Sequence, residues 1–460
     1  MIRDHSPTTI LCEYVVRTRY EDIPKEAIAM AKACILDSIG CTVGGSNLEP
    51  GRIIIDFYRA MGGVPEATVM ATGEKLPLVN AVYVNAFLAN VLDFDDTYGS
   101  VGHPGATVIP PALAVGEWRR ANGMELLTSV VLGYETSLRV GLAIQATPER
   151  YKQVLGLGTY QIIGAGTAAG KLLKLDRLQM RNAIGLACAN APVPYCRKLG
   201  LEVEERPFAW SKNNYGWASM GGVLGALLTE KGFIGNRFVL DGERGFWAMA
   251  GSDRCDFGKM TAGLGEIYLI LNNSFKPYSS CRWTHSTIDA CLKILEKHAI
   301  PPSSIASITV KGMYEMAKSL AQNHPENIID AQFSIPHVVS LCITGHPPSQ
   351  GLVEAHLKDD IVRSVAGKVK IELDPEIDRL YFEKGIMGST VIIRTENGGQ
   401  FEESVYSPKG SPQSPMSTEE QEKKFFSLTV PVWGKGKAEK MLETVNDLEK
   451  VKDVGLLIAN

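Results

Sequence analysis

The chain has 460 residues, 45% of them hydrophobic and 21% charged, the composition of a globular protein long enough to hold more than one core. Lys and Arg total 47 against 51 Asp and Glu, so neither a nucleic-acid backbone nor an anionic membrane surface is an expected partner. Residues 1–7 carry no apolar stretch of leader length, no run of about 18 uninterrupted apolar residues follows, and the nine cysteines include no C-x-x-C pair, which together point to a soluble protein of the reducing cytoplasm.

In chain order, apolar residues recur at helical spacing to about residue 265, as in Ile28, Ala31, Ile35 and Ile39 ahead of Gly44-Gly45. The segment Leu92-Asp93-Phe94-Asp95-Asp96-Thr97 stands out within this stretch. On a helix Asp93, Asp96 and Thr97 fall at i, i+3 and i+4 and share a face, where like charges are mildly destabilising and call for a reason. Beyond Gly99 and Gly102, His103-Pro104 makes a bend that turns an imidazole back toward them. A solvated acidic helix end is the commoner meaning of such a pattern; an acid–base cluster is the alternative.

Residues 164–171, Gly-Ala-Gly-Thr-Ala-Ala-Gly-Lys, imitate a phosphate-binding loop. Ala165 and Leu172 stand where that loop needs Gly and Ser or Thr, and no strand precedes it, so close helix packing is the expected use of these small residues. Lys212 follows Ser211 at the head of another small-residue segment, and residues 275–285 place Lys276 and Arg282 close to His285. Cations flanking an imidazole suit an anionic ligand. After Lys276 the pattern becomes β-rich at residues 305–311, 368–373 and 390–395, the last followed by Glu396-Asn397-Gly398-Gly399 and a partner strand at 400–405. A Pro- and Ser-rich linker at 407–415 then leads to Ser417-Thr418-Glu419-Glu420, a capping box heading a helical tail that is expected to return to the first domain.

Several blocks occur in one order: Leu92 to Thr97, His103-Pro104-Gly105-Ala106, Val108-Ile109-Pro110, Ser211-Lys212 with Gly216 and Ala218, Lys276-Pro277-Tyr278 through His285, Asp289-Ala290, and Phe333-Ser334-Ile335-Pro336. Over nearly the whole chain they resemble the MmgE/PrpD family. The resemblance implies a mainly α fold, with a large all-helical domain of residues 1–268 and 406–460 and a smaller α+β lid domain of residues 269–405. It further implies a homodimer with the site between the domains. The implied activity is that of a cofactor-independent lyase on a small di- or tricarboxylic acid, of the 2-methylcitrate dehydratase or cis-aconitate decarboxylase kind. An epimerase or isomerase of a dicarboxylate, and a non-catalytic carboxylate-binding paralogue, are the alternatives.

Carried over by position, the catalytic groups are Asp93, Thr97, His103, Lys212 and His285, with Lys276 and Arg282 binding substrate carboxylates. Proton removal beside a carboxylate needs a base of near-neutral pKa, which histidine supplies, and cations for the enolate-like charge. The expectation is therefore that His103 and His285 move the proton, Lys212 binds a carboxylate, and Asp93 with Thr97 positions His103. Asp93, Asp96 and His103 would also make a ligand set for Mn or Mg, but neighbouring cations argue for no metal. Two positions depart from the family: Gly99, where some decarboxylase-like members carry His, and Leu155, where His is frequent. A lost donor implies a substrate lacking the matching polar group.

Overall fold

The computed structural model describes residues 5–154, 157–194, 200–349 and 352–459; Leu155 and Cys196 lie outside them. One hydrophobic core runs from Leu11 to Phe275 and takes in the tail from Met416 to Leu457. The principal helices around it are α1 (Lys25–Gly45), α2 (Leu78–Val91), α3 (Pro104–Arg119), α4 (Gly123–Ala143), α5 (Leu157–Leu172) and α6 (Tyr215–Glu230). Helix α1 has the length and hydropathy to cross a bilayer, yet it packs against α2 and the tail and is mostly buried. A helix that is apolar on every side becomes a core helix once neighbours cover it.

The glycine-rich stretch at 164–171 lies inside α5, where it serves packing. A Cβ on Gly164 would come within 2.9 Å of the Gly133 carbonyl oxygen on α4, so only glycine permits this approach. The Lys171 ammonium is engaged as well, donating to the carbonyls of Val15, Val16 and Thr18 at the end of an earlier helix.

A second core is built from residues 278–405, joined by Val91 and Phe208 of the helical body. Its elements in chain order are α7 (His285–Lys297), β1 (Ile305–Gly312), α8 (Ile335–Ile343), β2 (Val369–Leu373), α9 (Pro375–Lys384), β3 (Ser389–Thr395) and β4 (Gln400–Val405). The sheet order is β2-β1-β3-β4, parallel only between β1 and β2. The expected hairpin is present: Ser389 pairs with Val405 and Arg394 with Gln400. The crossover that makes β1 and β2 parallel neighbours has no signature in either strand.

The tail packs into the core of the body. Ser417 caps α10 (Thr418–Trp433) in a capping box with Glu420, and the buried Lys424 donates to Asp37 of α1 at 2.6 Å. The two units are strapped together by buried polar contacts. Arg206 of the body binds Asp330 and donates to Ser319 O at 2.6 Å, and the hydroxyls of Tyr151 and Tyr381 meet at 2.7 Å.

The acidic segment does not continue α2. The helix ends at Val91, the Asp93 N–H bonds the Asn90 carbonyl at 2.8 Å, and Asp93 then adopts φ 48°, the left-handed region. The expectation that Asp93, Asp96 and Thr97 share a helical face is thereby corrected. Breaking the helix sends each carboxylate to its own set of donors, which offset the like-charge repulsion that remains between neighbours. Thr97 is fixed separately by two main-chain bonds with Ser274, each 2.8 Å.

Candidate active site

The cleft between the units holds a narrow slot with a volume of about 60 Å³. From the body come Asp93, Thr97, Gly99 and His103 among others, and from the α+β unit come Cys281, Arg282, Trp283, Phe333, Tyr381 and Met387. Sequence reasoning named four of these and brought them to one place.

His103 precedes α3 and lines the slot. Its Nδ1 lies 3.1 Å from Asp95 Oδ2, and Asn90 Nδ2 donates to Asp95 Oδ1 at 2.9 Å. The partner that orients His103 is therefore Asp95, adjacent in sequence to the residues singled out but not among them. With Nδ1–H committed to a carboxylate, the ring carries its reactive lone pair or proton at Nε2. Burial raises the Asp95 carboxyl, but the His103 ring and Lys276 outweigh it and hold Asp95 below the usual carboxylate range.

Asp93 has a different role. Its Oδ1 lies 3.4 Å from the Lys212 ammonium and 3.2 Å from that of Lys276, all three side chains being buried. Burial alone would raise this carboxyl; the two ammonium groups overcome it and hold Asp93 well below its ordinary value. Lys212 is also engaged by Asn90 O at 2.8 Å and Gln332 Oε1 at 3.2 Å, so three acceptors surround its three protons. Lys276 donates to Asp93 O at 2.8 Å. Neither lysine is among the residues lining the slot. The sequence reading had Lys212 grip a carboxylate directly; the geometry shows it anchoring the turn from Asn90 to Asp93 and the Gln332 side chain across the cleft.

Asp96 leaves the site. It accepts from Gly105 N at 2.9 Å, from Tyr134 OH and from Asn273 Nδ2, which ties the segment to the start of α3. Burial and the nearby Asp37 push its carboxyl up to about 7. Consequently the ligand set Asp93, Asp96 and His103 does not form. The cluster that does form is Asp93, Asp95 and His103, with candidate ligand atoms within 4.8 Å of one another. A divalent ion there would face two ammonium groups 3.2 and 3.4 Å from one of its own ligand atoms, so these residues do not fit a metal.

On the opposite wall Arg282 is buried and, among the described residues, has no carboxylate within 4.0 Å. Its Nη1 donates to His285 Nδ1 at 3.1 Å and to Lys409 O at 3.1 Å. His285 is fully buried, and its Nε2 lies 3.2 Å from Ser280 O. An arginine nitrogen can only donate, so His285 is the neutral Nε2–H tautomer with both nitrogens in use. Burial, then the charges of Arg282 and Lys276, hold it well below the ordinary histidine range. Arg282, pushed down to about 10 by burial, stays charged at neutral pH. The Cys281 thiol, pushed up to about 12 by burial and by Asp93, is not a nucleophile at neutral pH.

Two buried polar atoms in the slot have no partner among the described residues, the Thr97 hydroxyl and Asp93 Oδ2. Unsatisfied groups of this kind are costly unless a ligand or water meets them. The remaining walls are aromatic: Phe208 stacks on Phe333 with centroids 4.0 Å apart, and Trp283 meets Tyr381 edge-on. Among these Trp283 and Phe333 belong to blocks noticed in the sequence. Leu155 lies outside the described residues. Gly99, the other departure, has φ 42°, and a Cβ there would meet nothing within 4 Å.

Family models match the chain in two consecutive parts, the MmgE/PrpD N-terminal domain over residues 9–256 and the MmgE/PrpD C-terminal domain over residues 278–450. Curated relatives include the cis-aconitate decarboxylase of Aspergillus terreus, 22% identical with 98% of this chain and 95% of that protein covered. The human cis-aconitate decarboxylase is 24% identical, with 94% of this chain and 89% of that protein covered. A cis-aconitate decarboxylase-like protein of Aspergillus oryzae is 24% identical, with 98% and 96% covered.

Proposed function

Since the chain belongs to the MmgE/PrpD family, we propose from that premise that it is a lyase acting on a small di- or tricarboxylic acid by proton transfer, a carboxy-lyase of the kind its relatives' names describe. The observation that carries this reading is the His103–Asp95 pair, which presents Nε2 to a slot whose far wall bears the carboxylate-free Arg282. An imidazole held by a carboxylate is a general acid or base, and a guanidinium is the preferred bidentate partner of a carboxylate.

In this reading Arg282 binds one carboxylate of the acid and Thr97 donates to the same end of the ligand. The carboxylate to be lost lies against the aromatic wall, where weak solvation favours release of neutral carbon dioxide. When the C–C bond breaks, its electron pair stays on the carbon, stabilised by conjugation with the remaining carboxylate. His103 delivers the Nε2 proton to that carbon, and Asp95 stabilises the ring in its charged form. Lys212 and Lys276 act at a distance, fixing Asp93 and biasing the slot toward anions. His285 holds the Arg282 guanidinium in place.

The test is incubation of the purified protein with a panel of di- and tricarboxylic acids, cis-aconitate included, in deuterium oxide, read by proton NMR. A decarboxylated product carrying one solvent deuterium is expected. Deuterium entering an acid that is otherwise unchanged would identify an epimerase instead, and no exchange with any member would end the enzymatic reading.

A further inference from the structure

A second chamber adjoins the slot, and its walls differ chemically from those of the slot. It has a volume of about 380 Å³ and shares four residues with the slot: Thr97, Gly99, Arg282 and Met387. Its other walls come from Tyr98, Asn272 and Ser274 of the body, from the end of α9 and the α9–β3 connection, with Lys384, and from the linker after β4, with Tyr406, Ser411 and Gln413.

Three features suit it to an anionic ligand. First, no Asp or Glu lines it, although two cations do, Arg282 at the seam and Lys384 at the rim. Lys384 forms no ion pair with any described residue. Second, two of its lining residues, Thr97 and Ser411, are only 3% and 7% exposed, and their hydroxyls lack any hydrogen-bond partner among the described residues. Buried hydroxyls without partners are rare in finished structures, and a ligand oxygen would satisfy both. Third, Gly99 leaves the seam open, since no atom lies within 4 Å of where its Cβ would be. The slot, by contrast, is walled by rings and has its polar groups at the reacting end.

We propose that the outer chamber is a second carboxylate subsite, which takes the distal end of an elongated dicarboxylic acid whose other end reacts at His103. This rests on the reading of the slot as the reaction site. Arg282 sits where both halves of the molecule pass, and Lys384, Ser411 and Thr97 supply the donors that a distal carboxylate accepts. The substrate class is then an unsaturated α,ω-dicarboxylate longer than the slot alone admits, whose uncharged middle crosses beside Met387 and Gly99 and conjugates the reacting carbon with the distal carboxylate that remains.

Binding of unreactive saturated acids tests it on the intact protein. Dicarboxylic acids of increasing length, beginning at succinate, are each compared by calorimetry with the monocarboxylic acid of equal length. The advantage conferred by the second carboxylate is expected to step up about tenfold once the chain spans the seam. Lys384→Met, an exposed position, should abolish the step and leave succinate binding unchanged, and Ser411→Ala should reduce it. An advantage independent of length, or a step that survives Lys384→Met, would show the chamber to be an access route only and overturn the subsite. The deuterium experiment separates the two claims: a binding step without exchange removes the lyase and keeps the subsite, whereas exchange without a step does the reverse.

Discussion

On the body wall of the cleft, Lys212 and Lys276 lie 3.4 and 3.2 Å from one oxygen of Asp93 and give other protons to main-chain and amide oxygens. On the facing wall Arg282 meets an imidazole and a carbonyl, and no carboxylate of the described residues comes within 4.0 Å. Both walls bury cations, but only the body wall holds a carboxylate in ion-pair contact with them; the Asp289 charge acts on Arg282 from beyond 4.0 Å. A buried charge is tolerated when paired, and truncating one member leaves the other stranded. The body cations are thus part of the architecture, while the Arg282 charge is left for a ligand. The two histidines divide in the same way: His103 has a carboxylate behind it and the slot in front, whereas His285 uses both nitrogens to hold other groups.

The largest effect should come from breaking the neutralised wall. Asp93→Asn removes the anion between two buried ammonium groups, and a loss of about 3–5 kcal/mol in urea unfolding is expected. A loss under about 1 kcal/mol would mean that Asp93 is not the structural counter-ion. Arg282→Ala should leave stability nearer to that of the wild type and remove a charge-assisted contact of about 1.5–3 kcal/mol, a fall of roughly 10- to 100-fold in kcat/KM. Arg282→Lys should recover only part, because a single ammonium cannot form the paired bonds of a guanidinium. If Arg282→Ala instead matched Asp93→Asn in destabilisation, the contrast between the walls would fail.

A smaller effect is expected from His285→Asn. As a positioning residue behind Arg282, it should raise KM about tenfold while kcat stays within a few-fold of wild type. A large fall in kcat with unchanged KM would make it a proton-transfer group after all. Smallest is the pH response. His337 of α8 is pushed down to about 4, by burial and then by His356, and His285 is depressed as well. Both folded values lie below the unfolded one, so their contribution is complete above about pH 6.5 and is lost as pH falls, for His337 through about 4. The α+β unit should therefore lose amide protection between pH 7 and 5, by on the order of 1–2 kcal/mol, and His337→Phe should lessen that loss. Protection that holds or rises on acidification would contradict the assignment.

The sequence carried the helical body, the hairpin and the returning tail because each has a local cause: the 3.6-residue apolar period, the turn Glu396 to Gly399, and the capping box at Ser417. It brought His103, Asp93, Thr97 and Arg282 to one slot through motif resemblance. It misassigned the partner of His103, because the choice between Asp93 and Asp95 depends on a single left-handed residue at Asp93. No pattern in the sequence announces that conformation in an aspartate. Nor could spacing reveal that Lys212 would find all its acceptors within the protein, since all three, Asn90, Asp93 and Gln332, are far from it in the chain. The aromatic wall was illegible for the same reason, because Tyr151, Phe208, Trp283 and Tyr381 converge only through the packing of the two units.

The claim on which the rest depends is that one histidine moves the proton and the other does not. Solvent deuterium incorporation into a saturating acid that the wild type turns over, measured by proton NMR on His103→Asn and His285→Asn, tests it directly. Incorporation should fall by about 100- to 10,000-fold in His103→Asn and stay within a few-fold of wild type in His285→Asn. Wild-type incorporation by His103→Asn, or a loss confined to His285→Asn, would contradict it.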